Sequence, residues 1–177
     1  NNVPRYDRLQ DIRGGRLRYA NWFYGPQKRL LGAYEFNISN ISFFDELKAN
    51  LNYQDIEESR QQRDYRRYDR FDSRKEKIKV WGATITGRKV IGNNELVTGF
   101  DMQLNNLKSR ATRTNILTGE ESALDARYPD GKNRMNYFAF FAQHVYKFSN
   151  KKWVLNDGIR LQAVSLRSKI VNNSFFN

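Results

Sequence analysis

Apolar and polar side chains alternate with a period of two along much of this chain. The alternation is clearest over Leu47–Gln54, Leu96–Asn105 and Leu155–Ala163, and it recurs over Tyr34–Ile38. In each segment one face is apolar, and the other carries polar residues, often Asn and Gln. No apolar stripe with helical spacing is sustained anywhere in the chain. The pattern therefore predicts β-strands with one apolar and one polar face.

Six strands follow from this alternation, and we predict an all-β, antiparallel, up-and-down meander. They cover residues 28–38, 44–59, 75–90, 94–109, 135–149 and 152–169. The third and fifth alternate poorly, at Val80–Ala83 and Tyr137–Phe141, so the sequence leaves their register open. Before residue 28 we expect irregular structure and the end of an earlier strand around Arg16–Phe23.

The connections between these strands are of two alternating kinds. Short ones, rich in Gly, Asn and Ser, are predicted at Ser39–Ser42, Ile91–Asn94 and Ser149–Lys151. Long ones are predicted over residues 60–74 and 110–134, and residues 1–27 have a similar character. Tight turns at one end of a sheet and long loops at the other are typical of bacterial outer-membrane barrels.

Aromatic residues concentrate near both ends of the predicted strands, as in the aromatic girdles of such barrels. One group lies near the short turns and a second near the long loops: Phe43, Phe44, Phe148 and Trp153, then Trp22, Phe23, Tyr24, Tyr137 and Phe138. A soluble antiparallel sheet with its apolar face buried would show the same alternation. Loop asymmetry and girdle placement favour the membrane barrel.

The net charge of the chain first suggests that its partner is a polyanion. Lys and Arg number 31 against 19 Asp and Glu, which gives a net charge of +12. However, the most basic segment, Arg60–Arg74, has Asp64, Asp69 and Asp72 among its arginines, so we expect internal pairing. Nucleic acid is therefore disfavoured as a partner. With no cysteine and His144 as the one histidine, no metal site is predicted.

Several motifs resemble the TonB-dependent receptors of the bacterial outer membrane, in the form found in Bacteroidetes. The similarity is densest in four stretches: Arg127–Gly131 (RYPDG), Tyr137–Gln143, Trp153–Arg160 and Asn173–Phe176. Pro4–Leu9 and Trp22–Gln27 look like segments of the same receptors. The resemblance covers nearly the whole chain, and its motifs belong to the barrel rather than to a ligand site.

The resemblance implies part of a transmembrane β-barrel in the bacterial outer membrane. Because such receptors have a 22-stranded barrel, an N-terminal plug and a TonB box, we expect residues 1–177 to be a middle piece of the barrel, without plug or TonB box. The implied function is uptake of a scarce ligand: an iron chelate, haem or cobalamin. The implied partners are the rest of the barrel and the plug, the TonB system acting through the plug, outer-membrane lipid with lipopolysaccharide, and the transported ligand. No cofactor is implied.

Two sets of residues are candidates for function. The loop candidates pair guanidinium groups, which bind carboxylate or phosphate, with rings that stack: Arg63, Tyr65, Arg66, Arg67, Tyr68, Arg127 and Tyr128. The second set should face the barrel lumen and provide hydrogen bonds: Lys48, Asn50, Asn52, Gln54, Asp101, Gln103, Arg160 and Gln162.

Catalysis is not expected, because the sequence offers no Ser-His-Asp set, no glycine-rich phosphate loop and no HExxH motif. The alternative to a transport barrel is a soluble basic β-protein that binds nucleic acid or another polyanion. The two hypotheses differ in where six apolar side chains lie, in an enclosed core or in an outward belt: Leu47, Leu51, Tyr53, Phe100, Leu104 and Leu161.

Overall fold

One antiparallel sheet dominates the fold, seen in a computed structural model that describes residues 2–149 and 152–171. The elements before the first long strand are short: β1 (Val3–Pro4), α1 (Tyr6–Leu9), β2 (Ile12–Arg13), β3 (Arg16–Leu17) and β4 (Tyr19–Tyr24). The remaining strands are β5 (Lys28–Ile41), β6 (Phe44–Asp64), β7 (Arg70–Ile91), β8 (Asn94–Asn115), β9 (Glu121–Ala123), β10 (Gly131–Lys147) and β11 (Val154–Ile170). Among these residues, no helix has the length and apolar character needed to cross a membrane.

The predicted six-strand meander is confirmed. The order in the sheet is β5, β6, β7, β8, β10 and β11, and every neighbouring pair is antiparallel. β4 continues the edge made by β5, since both pair with β6, with Tyr24 opposite Arg60 and Lys28 opposite Glu57. The earlier strand expected around Arg16–Phe23 is thus β4, and the edge strand is interrupted at residues 25–27.

The predicted long loops were too long. β6 ends at Asp64 and β7 begins at Arg70, so the connection expected over 60–74 is only 65–69. Likewise, β8 runs to Asn115, and β9 pairs with it within the loop expected over 110–134. Past the apolar part, the strands carry mainly polar and charged side chains while their backbone hydrogen bonds continue. A search for apolar alternation therefore ends before the strands do.

The strand register divides the side chains into two faces. One face carries the apolar belt, which we define by its large side chains: Leu47, Leu51, Tyr53, Trp81, Ile85, Phe100, Leu104, Phe138, Phe140 and Leu161. These side chains line no enclosed core, since Phe140 and Leu161 are 64% and 67% exposed. Aromatic rings in the belt contact one another across strands, and the ring centroids of Tyr53 and Trp81 are 4.5 Å apart.

The opposite face, which we call the polar face, is the more enclosed. Most of the buried side chains in the described part of the chain lie on it: Asp72, Glu76, Val80, Ser109, Ala111, Asn133 and Ala139. The register also settles the two stretches that alternate poorly. Val80 and Tyr137 lie on the polar face, while Trp81 and Phe138 lie in the belt. Tyr137 is therefore not part of an outward aromatic girdle, because its hydroxyl contacts Arg160 on the polar face.

Two of the predicted short turns are tight. They lie at residues 42–43 and 92–93, where Ser42 and Gly92 have positive φ. Phe43 and Phe44 are in edge-to-face contact at the first turn, with ring centroids 5.4 Å apart. The third turn, predicted at Ser149–Lys151, falls partly outside the described residues, as does the Asn173–Phe176 motif.

Candidate functional site

The loop end of the sheet brings most of the loop candidates to the surface. Tyr65, Arg66, Arg67 and Tyr68 form the tip between β6 and β7, and Tyr68 is 69% exposed. The Arg66 guanidinium lies 5.5 Å from the ring centroid of Tyr65, within cation–π range. Arg63 is not in the loop, since it lies in β6 opposite Asn21.

A second arginine–tyrosine stack lies in the loop after β9. The Arg127 guanidinium is 5.8 Å from the ring centroid of Tyr128. This loop is held against β7 by a hydrogen bond of 3.2 Å from the Arg74 guanidinium to the carbonyl of Asp125. The loop end therefore presents two separate stacks of the kind that bind planar anions.

Aspartates within the basic segment pair with arginines. The buried carboxylate of Asp72 accepts two hydrogen bonds from Arg113, at 2.6 and 2.8 Å, and these bonds raise the Arg113 pKa. Asp69 lies 3.4 Å from Arg70. Arg113 is 41 residues from Asp72 in sequence and was not a sequence candidate. Only the pairing of β7 with β8 brings the two together.

Glu76 is a buried carboxylate on the polar face near the loop end. Burial raises its pKa, and the guanidinium of Arg60, 4.0 Å away, only partly opposes this effect. Arg74 and Arg127 also lower the pKa, while Glu58 raises it. One carboxylate oxygen of Glu76 has no hydrogen-bond partner among the described residues. The site was not apparent from sequence, because its charges come from three separate segments.

The register places all eight predicted lumen residues on the polar face. Asn52 and Gln103, for example, both face Gly82 from the two neighbouring strands. A depression of about 410 Å³ lies among these side chains, lined by Asn52, Gln54, Asp101, Gln103 and Tyr137 together with residues of β7. The polar face thus provides a broad surface of amide, carboxylate and hydroxyl groups.

Arg160 organises one part of this surface. Its guanidinium donates one hydrogen bond to the carboxylate of Asp101, with a nitrogen–oxygen distance of 2.6 Å, and another to the hydroxyl of Tyr137. Its guanidinium also lies 5.6 Å from the ring centroid of Phe141 and 5.8 Å from that of Tyr137. Arg160 and Asp101 were both predicted for this face, whereas their aromatic neighbours were not.

His144 lies in β10 and is within hydrogen-bond distance of residues on both neighbouring strands. Its ring nitrogens lie 3.2 Å from Asp157 and 3.0 Å from Asn94. Within residues 2–149 and 152–171, no three His, Cys, Asp or Glu side chains gather closely enough to hold a metal ion.

Comparison with known proteins identifies the fold. Nine chains of solved structures match, among them the copper transporter OprC, with a TM-score of 0.67 and 18% sequence identity. The match covers 85% of this chain and 24% of that one, so the chain spans about a quarter of the length of OprC. No family model and no curated protein matches. The chain folds as an antiparallel sheet like part of a transporter β-barrel.

Proposed function

We propose that this chain is part of the wall of a bacterial outer-membrane barrel that takes up a scarce ligand in a TonB-dependent manner. The observation that carries the proposal is the contrast between the two faces. The belt, with Leu51 52% and Leu161 67% exposed, is the open side, while the polar face is the enclosed one. A soluble sheet buries its apolar face, whereas a membrane barrel turns that face to lipid. The likeness of the fold to part of the copper transporter OprC supports this interpretation.

In this proposal the strands cross the membrane at the height of the apolar belt. On β7 the crossing runs from Trp81 to Ile91, which matches the ~9–11 residues that a tilted strand needs. The polar face then lines the lumen, where a plug supplied by other parts of the protein would contact Arg160 and Asp101. The loops at residues 65–69 and 116–130 lie on the cell exterior.

The ligand in this proposal is a scarce chelate or cofactor: an iron chelate, haem or cobalamin. The two arginine–tyrosine stacks in the exterior loops support this class, because guanidinium groups pair with carboxylate or phosphate and the rings stack on flat surfaces. OprC is a copper transporter, so a copper complex belongs in the same test panel.

Orientation in the membrane can be tested with single cysteines, because these 177 residues contain none and any cysteine elsewhere in the full-length protein can be replaced by serine. Spin labels would be attached at F140C and L161C in the belt and at Q103C and Q162C on the polar face, in the full-length gene product in outer membranes. We expect the belt labels to be relaxed by oxygen, which partitions into lipid, and the polar-face labels by a water-soluble nickel complex. Belt labels shielded from both relaxants would contradict the proposal.

Transport is tested separately in a strain that lacks the gene. Uptake of ferric chelates, haem, cobalamin and copper would be measured with the gene restored and with TonB inactivated. We expect restored uptake of one ligand, lost again without TonB. Uptake that continues without TonB would refute the energy source while leaving the barrel itself intact.

A further inference from the structure

A single cross-strand row on the belt side of the sheet is made almost entirely of lysines. Reading from β5 to β11, the residues directly opposite one another are Lys28, Glu57, Lys77, Lys108, Lys132 and Lys169. Like charges directly opposite on neighbouring strands repel and destabilise a sheet. Such a row therefore calls for a counter-charge.

The protein supplies that counter-charge only at the β6 and β7 end of the row. The two carboxylate oxygens of Glu57 pair with two lysines, with Oε1 2.6 Å from Nζ of Lys75 and Oε2 2.9 Å from Nζ of Lys77. In residues 2–149 and 152–171, no carboxylate lies within ion-pair distance of Lys108, Lys132 or Lys169. Next to this row, Arg134 stands opposite Arg167, again with no carboxylate in reach in that part of the chain. We call these five exposed residues on β8, β10 and β11 the cationic patch.

The patch adjoins the apolar belt on the same face of the sheet. Lys108 and Leu104 are separated by four positions on β8, or about 13 Å along the strand. The neighbouring strands lie about 4.8 Å apart, so the lysines of three strands can reach one phosphate group. A concavity of about 650 Å³ opens beside the row, lined by Lys108, Arg110 and Lys132 together with the carboxylates of Asp130 and Glu121, the latter 3.6 Å from Arg110.

We infer that the cationic patch binds the phosphate groups of an outer-leaflet lipid, namely the lipid A part of lipopolysaccharide. The inference rests on the proposed function, since it requires that the belt faces lipid. Continuity decides between a lipid and a free anion: acyl chains lying along Phe138, Phe140 and Leu161 would bring a headgroup phosphate to the level of Lys108 and Lys132. The lipid then supplies the charge that the sheet lacks.

The test compares lipid binding by the full-length protein in phosphatidylcholine nanodiscs, measured by native mass spectrometry. The probes are bisphosphorylated lipid A and its fully dephosphorylated form. K108Q/K132Q removes two patch lysines, and K89Q/K147Q removes two lysines near the short turns as a matched control. We expect lipid A to bind K108Q/K132Q about thirtyfold more weakly than wild type, with the control unchanged. K108R/K132R should retain binding.

Three outcomes would overturn the inference: equal affinity of K108Q/K132Q and wild type, equal binding of the dephosphorylated lipid, or displacement of lipid A by millimolar inorganic phosphate. The last result would assign the patch to a soluble anion. The spin-label measurement keeps the proposed function separate. If the belt labels lie in lipid but K108Q/K132Q binds lipid A as tightly as wild type, only the inference about the cationic patch is refuted. If the belt labels lie outside lipid, the proposed barrel itself is refuted.

Discussion

Gly99 on β8 lies directly opposite Phe141 on β10, and the phenyl ring covers the glycine. A Cβ added at Gly99 would lie 2.5 Å from Cζ of Phe141 and 2.6 Å from the carbonyl oxygen of Ile85. The ring is in turn within cation–π range of Arg160. The glycine thus lets an aromatic side chain lie flat on the polar face, where it supports the Arg160 guanidinium.

Gly99→Ala is expected to destabilise the sheet by about 1–3 kcal/mol, because the Phe141 ring and the backbone must both shift. Gly32→Ala on β5 is the matched control, since no atom of the described part of the chain lies within 4 Å of a Cβ at that position. The urea midpoints of the two variants, measured on folded protein in detergent, would show the difference. Equal midpoints would mean that Phe141 moves aside at no cost.

Arg113→Ala leaves the buried carboxylate of Asp72 without its bidentate partner. Breaking a fully buried ion pair costs about 3–5 kcal/mol, and we expect about 2–3 because Arg113 is 33% exposed. Arg70→Ala, which removes a 3.4 Å contact with Asp69, should cost no more than about 1 kcal/mol. Denaturation of both variants checks this prediction. A cost for Arg113→Ala no greater than that for Arg70→Ala would show that water replaces the partner of Asp72.

Glu76 should make the stability of the loop end dependent on pH. Since burial raises its pKa in the folded state, the fold favours the neutral carboxyl, and that contribution is lost as pH rises through the folded pKa. Glu76→Gln is therefore expected to be more stable than wild type at pH 7, with the difference vanishing towards pH 4. Denaturation midpoints across this range would test it. A Glu76→Gln variant less stable than wild type at pH 7 would show that Arg60 outweighs the burial.

Glu57→Gln should change the stability in the opposite direction from Glu76→Gln. Hydrogen bonds from Lys75 and Lys77 lower the pKa of Glu57 to about 2. The charged form is thus favoured by the fold, and its contribution is present above the ordinary value of 4.5 and lost as pH falls towards 2. We expect Glu57→Gln to be less stable than wild type at pH 7, with the gap closing in acid. A gap independent of pH would assign the effect to packing.

The loop stacks should matter for ligand capture rather than for folding. Replacing both arginines, in R66A/R127A, is expected to weaken ligand binding by about tenfold or more, because each can make a charge-assisted contact with a carboxylate or phosphate group of the ligand. Lys147→Ala, near the short turns, is the control for lost charge. Binding of the transported ligand to outer membranes with matched protein levels measures the effect. Wild-type affinity in R66A/R127A would place ligand recognition elsewhere in the protein.

Alternation was sufficient to predict the six strands and the side on which Lys48, Asp101 and Arg160 lie. It worked where the belt gives one face a distinct chemical character. It failed beyond the belt, where β6 and β7 continue through charged residues to Asp64 and from Arg70. There both faces are polar, so their sequence resembles that of a loop.

The order of the strands followed from the sequence, but the residue-by-residue register between neighbouring strands did not. Asp72 meets Arg113, and Glu76 meets Arg60, only through the register of β7 with its two neighbours. The same holds for Phe141, whose position next to a second phenylalanine hides the face it occupies. Its register in β10 places the ring on the polar face, and Gly99, which has no side chain, leaves room for the ring on the neighbouring strand.

The lysine row also bears on how the sheet assembles. If β8 slipped by one residue, Lys108 would turn to the polar face and Leu107 would replace it outside. A slip of two residues would keep the faces but move the lysine about 7 Å along the strand, out of line with Lys132 and Lys169. In the proposed membrane orientation, errors in strand pairing would therefore misplace positive charge at the depth of the lipid headgroups, and the lysine row would favour the correct register.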